Sequence, residues 1–406
     1  PLSYLFDSIQ NAQEIKEGLL PLSEFGATAP NDYTLIVHLQ SPCVPFLEIC
    51  ALSLFSPICQ QVDEKEPNWP LSQGDDYVCN GPFTLESKDD VGGLVLRKNP
   101  LYWENERVNP HKVTIPFVSY EEGKRLFLKK EVDALVYYKR HIHSDDLKVV
   151  NASVLKGVMH KLFLCFNCQK PPFHNKKVRK ALALAMDRKK IATVLANSVT
   201  PTTSFYCTPI YVGDKKQCDC IENIDEARNL LIQAIVEDPD VRNTFFNQII
   251  AVFEPGDKLV TALCEHLNGA LGFHWKPQIL KEPSSLTCFQ RKHTFQASVT
   301  GWIDRIADPG YFLGLFSSPD NYANSSRWTH PLMQSIIAQT KIAQCLEDRN
   351  QLYAEGAQLL LEEMPLVPLF NMEHPSLHHS NIKGIYGNHL QQFDLRFAVK
   401  ESGSIE

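Results

Sequence analysis

A chain of 406 residues, 44% of them apolar, exceeds what one hydrophobic core usually organises and predicts at least two lobes. Its 40 basic residues stand against 47 acidic ones, a formal charge of -7 with no basic block, which argues against a nucleic-acid partner. No apolar run reaches the roughly 18 residues of a membrane helix, because the nearest candidate, VPFLEICALSLFSPIC, is interrupted by Glu48 and Pro57, and a soluble chain is predicted.

The chain opens at Pro1 without a methionine or the charged and apolar regions of a signal peptide, so any targeting signal is expected outside this sequence. In YTLIVHLQ, Tyr33, Leu35, Val37 and Leu39 share one face of a predicted strand, with Thr34, His38 and Gln40 on the other beside Ile36. FTLES and LVLRK, separated by KDDVGG, predict a hairpin. HKLFLCFNCQ alternates like a strand, and its Cys165 and Cys168, three apart, then face opposite ways, which disfavours both chelation and a mutual disulfide. FHNKKVRKALALAMDRKKI predicts a helix capped by Asn175, with Lys176, Lys177, Arg179 and Lys180 placed against the helix dipole as solvated surface charge or as a docking face for an acidic partner.

Cys207, Cys218 and Cys220 fall in a loop-like stretch where a bridge and three free thiols are both open, and the 12 cysteines do not fix the redox compartment. NIDEARNLLIQAIVED predicts a helix capped by Asn223 with Ala227, Leu230, Leu231, Ala234 and Ile235 in one apolar stripe. LVTALCEHLNGALGF repeats the pattern through Val260, Leu263 and Leu267, with Gly269 and Gly272 offering a stop. Tyr353, Ala357, Leu360 and Met364 follow helical spacing until Pro365, after which LVPLF predicts a strand. The pattern is α/β with mixed sheets, and linkers are expected at CQKPPFHNKK and FNMEHPSLHHSN.

Catalytic motifs are missing: no G-x-S-x-G, H-E-x-x-H, G-x-x-x-x-G-K-[ST] or G-x-G-x-x-G occurs. HIHSDD, with His141 and His143, and HPSLHH, with His374, His378 and His379, could hold a metal if folded together, although histidines in polar loops are far commoner. GWIDRIADPG, residues 301–310, follows the alternating strand TFQASVT and so reaches the carboxyl end of a strand, where α/β sheets bind ligands. Gly301 permits close backbone approach, Trp302 supplies an apolar wall, and Arg305 between Asp304 and Asp308 can present charge. A turn neutralised internally, with Arg305 paired to an aspartate, is the equal alternative.

GWIDRIADPGYFLGLF resembles the Gly-Trp, acidic, Asp-Pro, Phe-Leu signature of the oligopeptide/dipeptide-binding proteins that serve ABC importers. NGPFTLESKDDVGGLVLRKNPLYWEN, FNCQKPPFHNKKVRKALALAMDRKKI and LYAEGAQLLLEEMPLVPLF resemble three further segments of that family in the same order. The resemblance implies a two-lobed, periplasmic-binding-protein-like (Venus flytrap) α/β fold that closes over a ligand in a cleft. Residues 63–160 with 373–406 would form the first lobe, 161–372 the second, and 1–62 a remnant of an extra N-terminal subdomain. The resemblance also implies that the family's opening segment is missing from this sequence.

The function implied is a non-catalytic receptor in the periplasm, or on the cell surface as a lipoprotein. It would act as a monomer without a cofactor, capturing a peptide or peptide-like ligand for an ABC transporter membrane permease. The ligand-binding residues are expected to be Phe163, Cys165, Asn167, Gly301, Trp302, Ile303, Asp304, Arg305 and Asp308. Family members commonly fix the peptide amino group with an aspartate three residues after the tryptophan, a position held here by Arg305. An arginine there implies a different anchor or a ligand carboxylate, as in glutathione-like or cell-wall peptides. A nickel or haem carrier and an α/β hydrolase are the alternative readings.

Overall fold

HKLFLCF has little polar interruption, the pattern of a strand covered on both faces, and the computed structural model places it as strand His160–Phe166 inside a six-stranded sheet. The structure describes residues 3–66, 68–69, 72, 77–136, 152–155, 160–195, 199–206, 222–244, 249–252, 258–279, 295–303, 305–306, 308–321, 323–343, 345–372, 376–387 and 392–401. Two compact units divide the chain: Pro1–Phe55, His160–Leu195 and Thr200–Asn371 form one, and Ser56–Met159, Ala196–Val199 and Met372–Glu406 form the other.

In the first unit the strand order is Lys276–Ile279, Ile249–Val252, Ala297–Ile303, His160–Phe166, Leu366–Met372 and Thr200–Pro201. The first three run parallel, Ala297–Ile303 is antiparallel to His160–Phe166 along its whole length, and Thr200–Pro201 is antiparallel to Phe370 and Asn371. This is the mixed sheet that the alternating pattern predicts.

Helix Ile224–Glu237 starts where the Asn223 side chain accepts the Glu226 amide, and it buries Ala227, Leu231 and Ala234 while Leu230 and Ile235 lie at the margin. Helix Lys258–Leu271 buries Val260, Leu263 and Leu267 and stops before Gly272, whose φ of +73 is left-handed, whereas Gly269 sits inside it. Helix Leu346–Glu363 ends at left-handed Met364, and Leu366–Met372 begins after Pro365 as expected.

The basic helix differs from expectation. It is two helices, Lys176–Leu184 capped by Asn175 and Arg188–Val194 capped by Asp187. Its first turns are not simply solvated: Lys176 pairs with Glu363 at 3.2 Å and Lys177 with Glu237 at 2.6 Å. Arg179 is buried and donates to the carbonyls of Phe173, His174, Glu363 and Met364. One guanidinium thus supplies donors to carbonyls in the turn before one helix and at the end of another, where the last carbonyls of a helix lack intrahelical partners. The segment 168–177, expected as a linker, lies within the first unit, whereas the other expected linker, 370–381, contains one of the passages between units, at Asn371–Met372.

YTLIVHLQ yields strand Thr34–Val37, paired with Ala27–Asn31. Its predicted inner face is not covered, since Tyr33 is 98% and Leu35 71% exposed. Alternation decides which residues share a face, not what meets that face.

In the second unit Phe83–Lys88 and Leu94–Lys98 form the expected hairpin, with Lys112–Ile115 as its third strand. The Asp89 side chain closes the turn by accepting the amides of Val91 and Gly93, and Gly92 takes a φ of +93. Tyr120, Phe127, Leu135 and Leu377 form a small core. Strand Ser376–His379 carries the His378 and His379 pair into that packed region, where the His379 ring stacks on Phe127 at 4.1 Å. The pair is therefore not in a polar loop. His141, His143, His374, Cys207, Cys218 and Cys220 lie outside the described residues, among which no metal-binding group of three or more side chains occurs.

Arg179→Ala is expected to lower the unfolding free energy by about 3 kcal/mol, because buried carbonyls are left unpaired. Urea titration measures it, and a loss below about 1 kcal/mol would contradict the role given to this residue.

Candidate functional site

Strand Ala297–Ile303 runs three residues further than the sequence suggests, through Gly301, Trp302 and Ile303. Its register puts Ser298, Thr300 and Trp302 opposite Cys165, Phe163 and Lys161, on one face of the sheet. The neighbouring strand Ile249–Val252 pairs with it at Ala297 and Ser298. Beyond that pairing Gly301 is exposed, Trp302 half-buried and Ile303 38% exposed. A short length of extended backbone with an indole beside it is thereby presented at the strand's carboxyl end.

Two anchors hold the chain after this strand. Ile306 turns inward against Leu5 and Ile49, with Cys43 and Tyr311 packed alongside, which ties the N-terminal segment to the same place. Asp308, 8% exposed, is the second anchor. Its Oδ1 accepts the Gly310 amide at 2.7 Å and the Tyr353 hydroxyl at 2.6 Å, and its Oδ2 pairs with Arg349 Nη2. The Gly310 contact caps helix Pro309–Leu313, with Pro309 in its first turn where a missing N–H costs nothing. At Gly310 a side chain is excluded, since a Cβ would fall 2.7 Å from Asp308 Oδ1. Arg349 also donates to the Thr340 carbonyl at 3.1 Å, and Tyr206 donates to the Tyr353 carbonyl at 2.7 Å. Burial, and after it the Asp308 carboxylate, push the Tyr353 phenol well above its usual range.

The capped helix positions Phe312 as the centre of an aromatic cluster. Its ring lies 5.6 Å from Phe163, 5.8 Å from Phe316, 5.9 Å from Trp302, 6.1 Å from Tyr206 and 6.5 Å from Phe205. The contact with Trp302 is edge-on, a favoured aromatic geometry. The indole is supported from within.

The residues named from the sequence therefore separate into two sets. Gly301, Trp302, Ile303 and Arg305 reach the surface. No hydrogen bond or ion pair joins Arg305 to another described residue, and Asp308 pairs with Arg349 instead. Phe163, Cys165, Asn167 and Asp308 are buried. Phe163 belongs to the aromatic cluster, and Asn167 donates to the Phe295 carbonyl and accepts the Gln169 amide. Burial raises the Cys165 thiol and pushes that of Cys168 up to about 11, so both are protonated, inert thiols rather than a redox or metal pair. Asp304 lies outside the described residues.

Sequence reasoning missed Arg349, Tyr353 and Phe312 as parts of this site. The Asp-Pro-Gly at 308–310 was the available signal, being a helix cap and first turn, and Arg349 and Tyr353 are four apart, hence on one helix face.

The model of the bacterial extracellular solute-binding proteins, family 5 Middle, matches residues 3–324. This chain belongs to that family. Among relatives of this family 5 protein, the dipeptide-binding protein DppE of Bacillus subtilis (strain 168) is 26% identical over 400 residues, spanning 97% of this chain and 73% of DppE. The periplasmic oligopeptide-binding protein OppA of Escherichia coli (strain K12) is 26% identical over 386 residues, spanning 91% of this chain and 69% of OppA. Of solved structures, a periplasmic oligopeptide-binding protein from Borrelia burgdorferi (OppAIV) matches with a TM-score of 0.81 at 23% identity, covering 98% of this chain and 80% of that one. Haemophilus influenzae OppA in complex with RPPGFSPFR matches at 0.77 and 22% identity, covering 99% and 79%. The α/β class expected from the sequence is the class of these neighbours. The family is one of binding proteins rather than enzymes, and no helix among the described residues is long and apolar enough to cross a membrane.

A phenol whose pKa is raised by folding adds stability that is fully present below the unfolded value near about 10 and is lost as pH rises above it. Urea unfolding between about pH 8 and 11 should therefore show a decline that is shallower in Tyr353→Phe than in the parent. Equal slopes would show that Tyr353 titrates freely in the folded protein.

Proposed function

We propose that this family 5 protein is an extracytoplasmic receptor that captures peptides and delivers them to the membrane permease of an ABC transporter. It works in the periplasm, or at the cell surface as a lipoprotein, as a monomer that binds no nucleic acid and breaks no bond. The observation that carries this reading is the family match over residues 3–324, joined to relatives named for dipeptide and oligopeptide binding.

The geometry at Gly301–Ile303 supports it. An extended peptide needs partners for its own backbone, and the end of a strand offers them without reading side chains. Gly301 lets that backbone approach, and half-buried Trp302 offers an apolar wall already fixed by Phe312. Phe163 supports this face through Phe312, Asp308 caps the helix that carries Phe312, and Ile303 and Arg305 are exposed beside it; Cys165, Asn167 and Asp304 are kept as candidates on the family resemblance alone. A nickel or haem reading gains nothing from His378 and His379, which belong to a packed strand of the second unit.

Arg305 decides the kind of peptide. An exposed guanidinium with no carboxylate partner among the described residues repels a ligand ammonium and attracts a ligand carboxylate. Acidic or amino-blocked peptides, including glutathione-like and cell-wall-derived ones, are therefore the preferred class. Calorimetric titration should find them binding about tenfold more tightly than ordinary tripeptides, a preference erased in Arg305→Ala. Ordinary tripeptides binding best, undiminished in Arg305→Ala, would refute this choice of ligand.

A further inference from the structure

Among the described residues Lys161 is a deeply buried lysine, 1% exposed, and it lies in the first unit. Its ammonium donates to the Ser204 carbonyl at 2.9 Å and reaches the Thr202 hydroxyl at 3.4 Å. Burying an ammonium is costly unless its hydrogen bonds to water are replaced. The position of its partners along the chain explains what the charge is for.

The chain enters the first unit at His160, one residue before Lys161. It returns to that unit at Thr200, two residues before Thr202, and leaves it after Asn371. The three strands concerned, His160–Phe166, Leu366–Met372 and Thr200–Pro201, are consecutive neighbours in one sheet. Asn371 pairs with Thr200 and Phe370 with Pro201, and the Thr202 amide donates to the Leu369 carbonyl at 3.1 Å. Lys161 therefore reaches from the first of these strands across the middle one to the segment that continues the third. That third strand is only two residues long and contains Pro201, which has no N–H to give. A ladder so short is weak at an edge, and the ammonium supplies a tie that the ladder lacks. Lys161 is also the residue directly opposite Trp302, on the same face of the sheet.

We propose that Lys161 is a positioning residue that binds together the three strand ends at which the chain passes between its units, and couples them to Trp302. Occupancy at Trp302 and the order of residues 200–206 and 369–371 within the first unit then change together. The coupling rests on the solute-binding reading, whereas the tie itself does not.

The test uses the full chain with Lys161→Met and Lys161→Arg. Lys161→Met should lower the melting temperature modestly, since the Ser204 carbonyl and Thr202 hydroxyl lose their donor. Its amide exchange at residues 199–206 and 369–371 should quicken by about tenfold or more. Release of the tightest-binding peptide from the titrations, followed by stopped-flow tryptophan fluorescence, should change by about fivefold or more. Lys161→Arg, which keeps the charge, should bring both rates back towards the parent. Unchanged exchange in Lys161→Met would overturn the tie, as would a lowered melting temperature with both rates unchanged, the mark of a merely structural residue. Faster exchange with unchanged release would overturn the coupling. A parent protein that binds no peptide would count against the functional reading alone, with the exchange measurement still deciding the tie.

Discussion

One buried carboxylate orders the region on which this account depends. Asp308 receives a backbone amide, a phenol and a guanidinium, and each donor comes from a different requirement of the fold. The amide starts a helix, the phenol and guanidinium fix a second helix against it, and Phe312 follows four residues later as the support of Trp302. An isolated buried ion pair is weak evidence for stability, because desolvation offsets its attraction. Here the same charge is hydrogen-bonded as well as paired, and what it contributes is position. A strand end alone would leave its tryptophan free to turn; a strand end followed by a capped helix does not.

The same economy appears elsewhere in the first unit. Arg179 satisfies carbonyls in the turn before one helix and at the end of another with one side chain, and Lys161 reaches across a strand to hold a loop. Among the described residues four buried cationic groups, at 161, 179, 188 and 349, each serve acceptors contributed by other parts of the chain. Polar groups inside a body built from discontinuous segments tie those segments in one arrangement, where apolar packing alone would tolerate several. The surface is left to the few residues that meet solvent at Gly301, Trp302, Ile303 and Arg305.

Much of this was readable beforehand, and the misses have a common cause. Periodicity located helices Ile224–Glu237 and Lys258–Leu271, the Phe83–Lys98 hairpin and the Pro365 boundary, because local pattern and local chemistry agree there. It also brought Trp302 to the carboxyl end of a strand. It failed where the deciding partner is remote. Nothing near Asp308 announces Arg349, 41 positions away. Nothing near Arg179 announces Glu363, and the alternation of YTLIVHLQ carries no information about whether its apolar face is met. Phe163 and Asn167, expected beside the ligand, are buried, and burial depends on what is laid over their strand rather than on the strand's own pattern.

Hydroxyl-radical footprinting with and without a mixture of short acidic peptides tests the central claim most directly, because Trp103, 80% exposed in the other unit, serves as an internal reference. The account predicts that peptide lowers modification of Trp302 and Ile303 while Trp103 is unaffected. Binding of peptide that leaves Trp302 and Ile303 as reactive as before would show that the solute is held elsewhere.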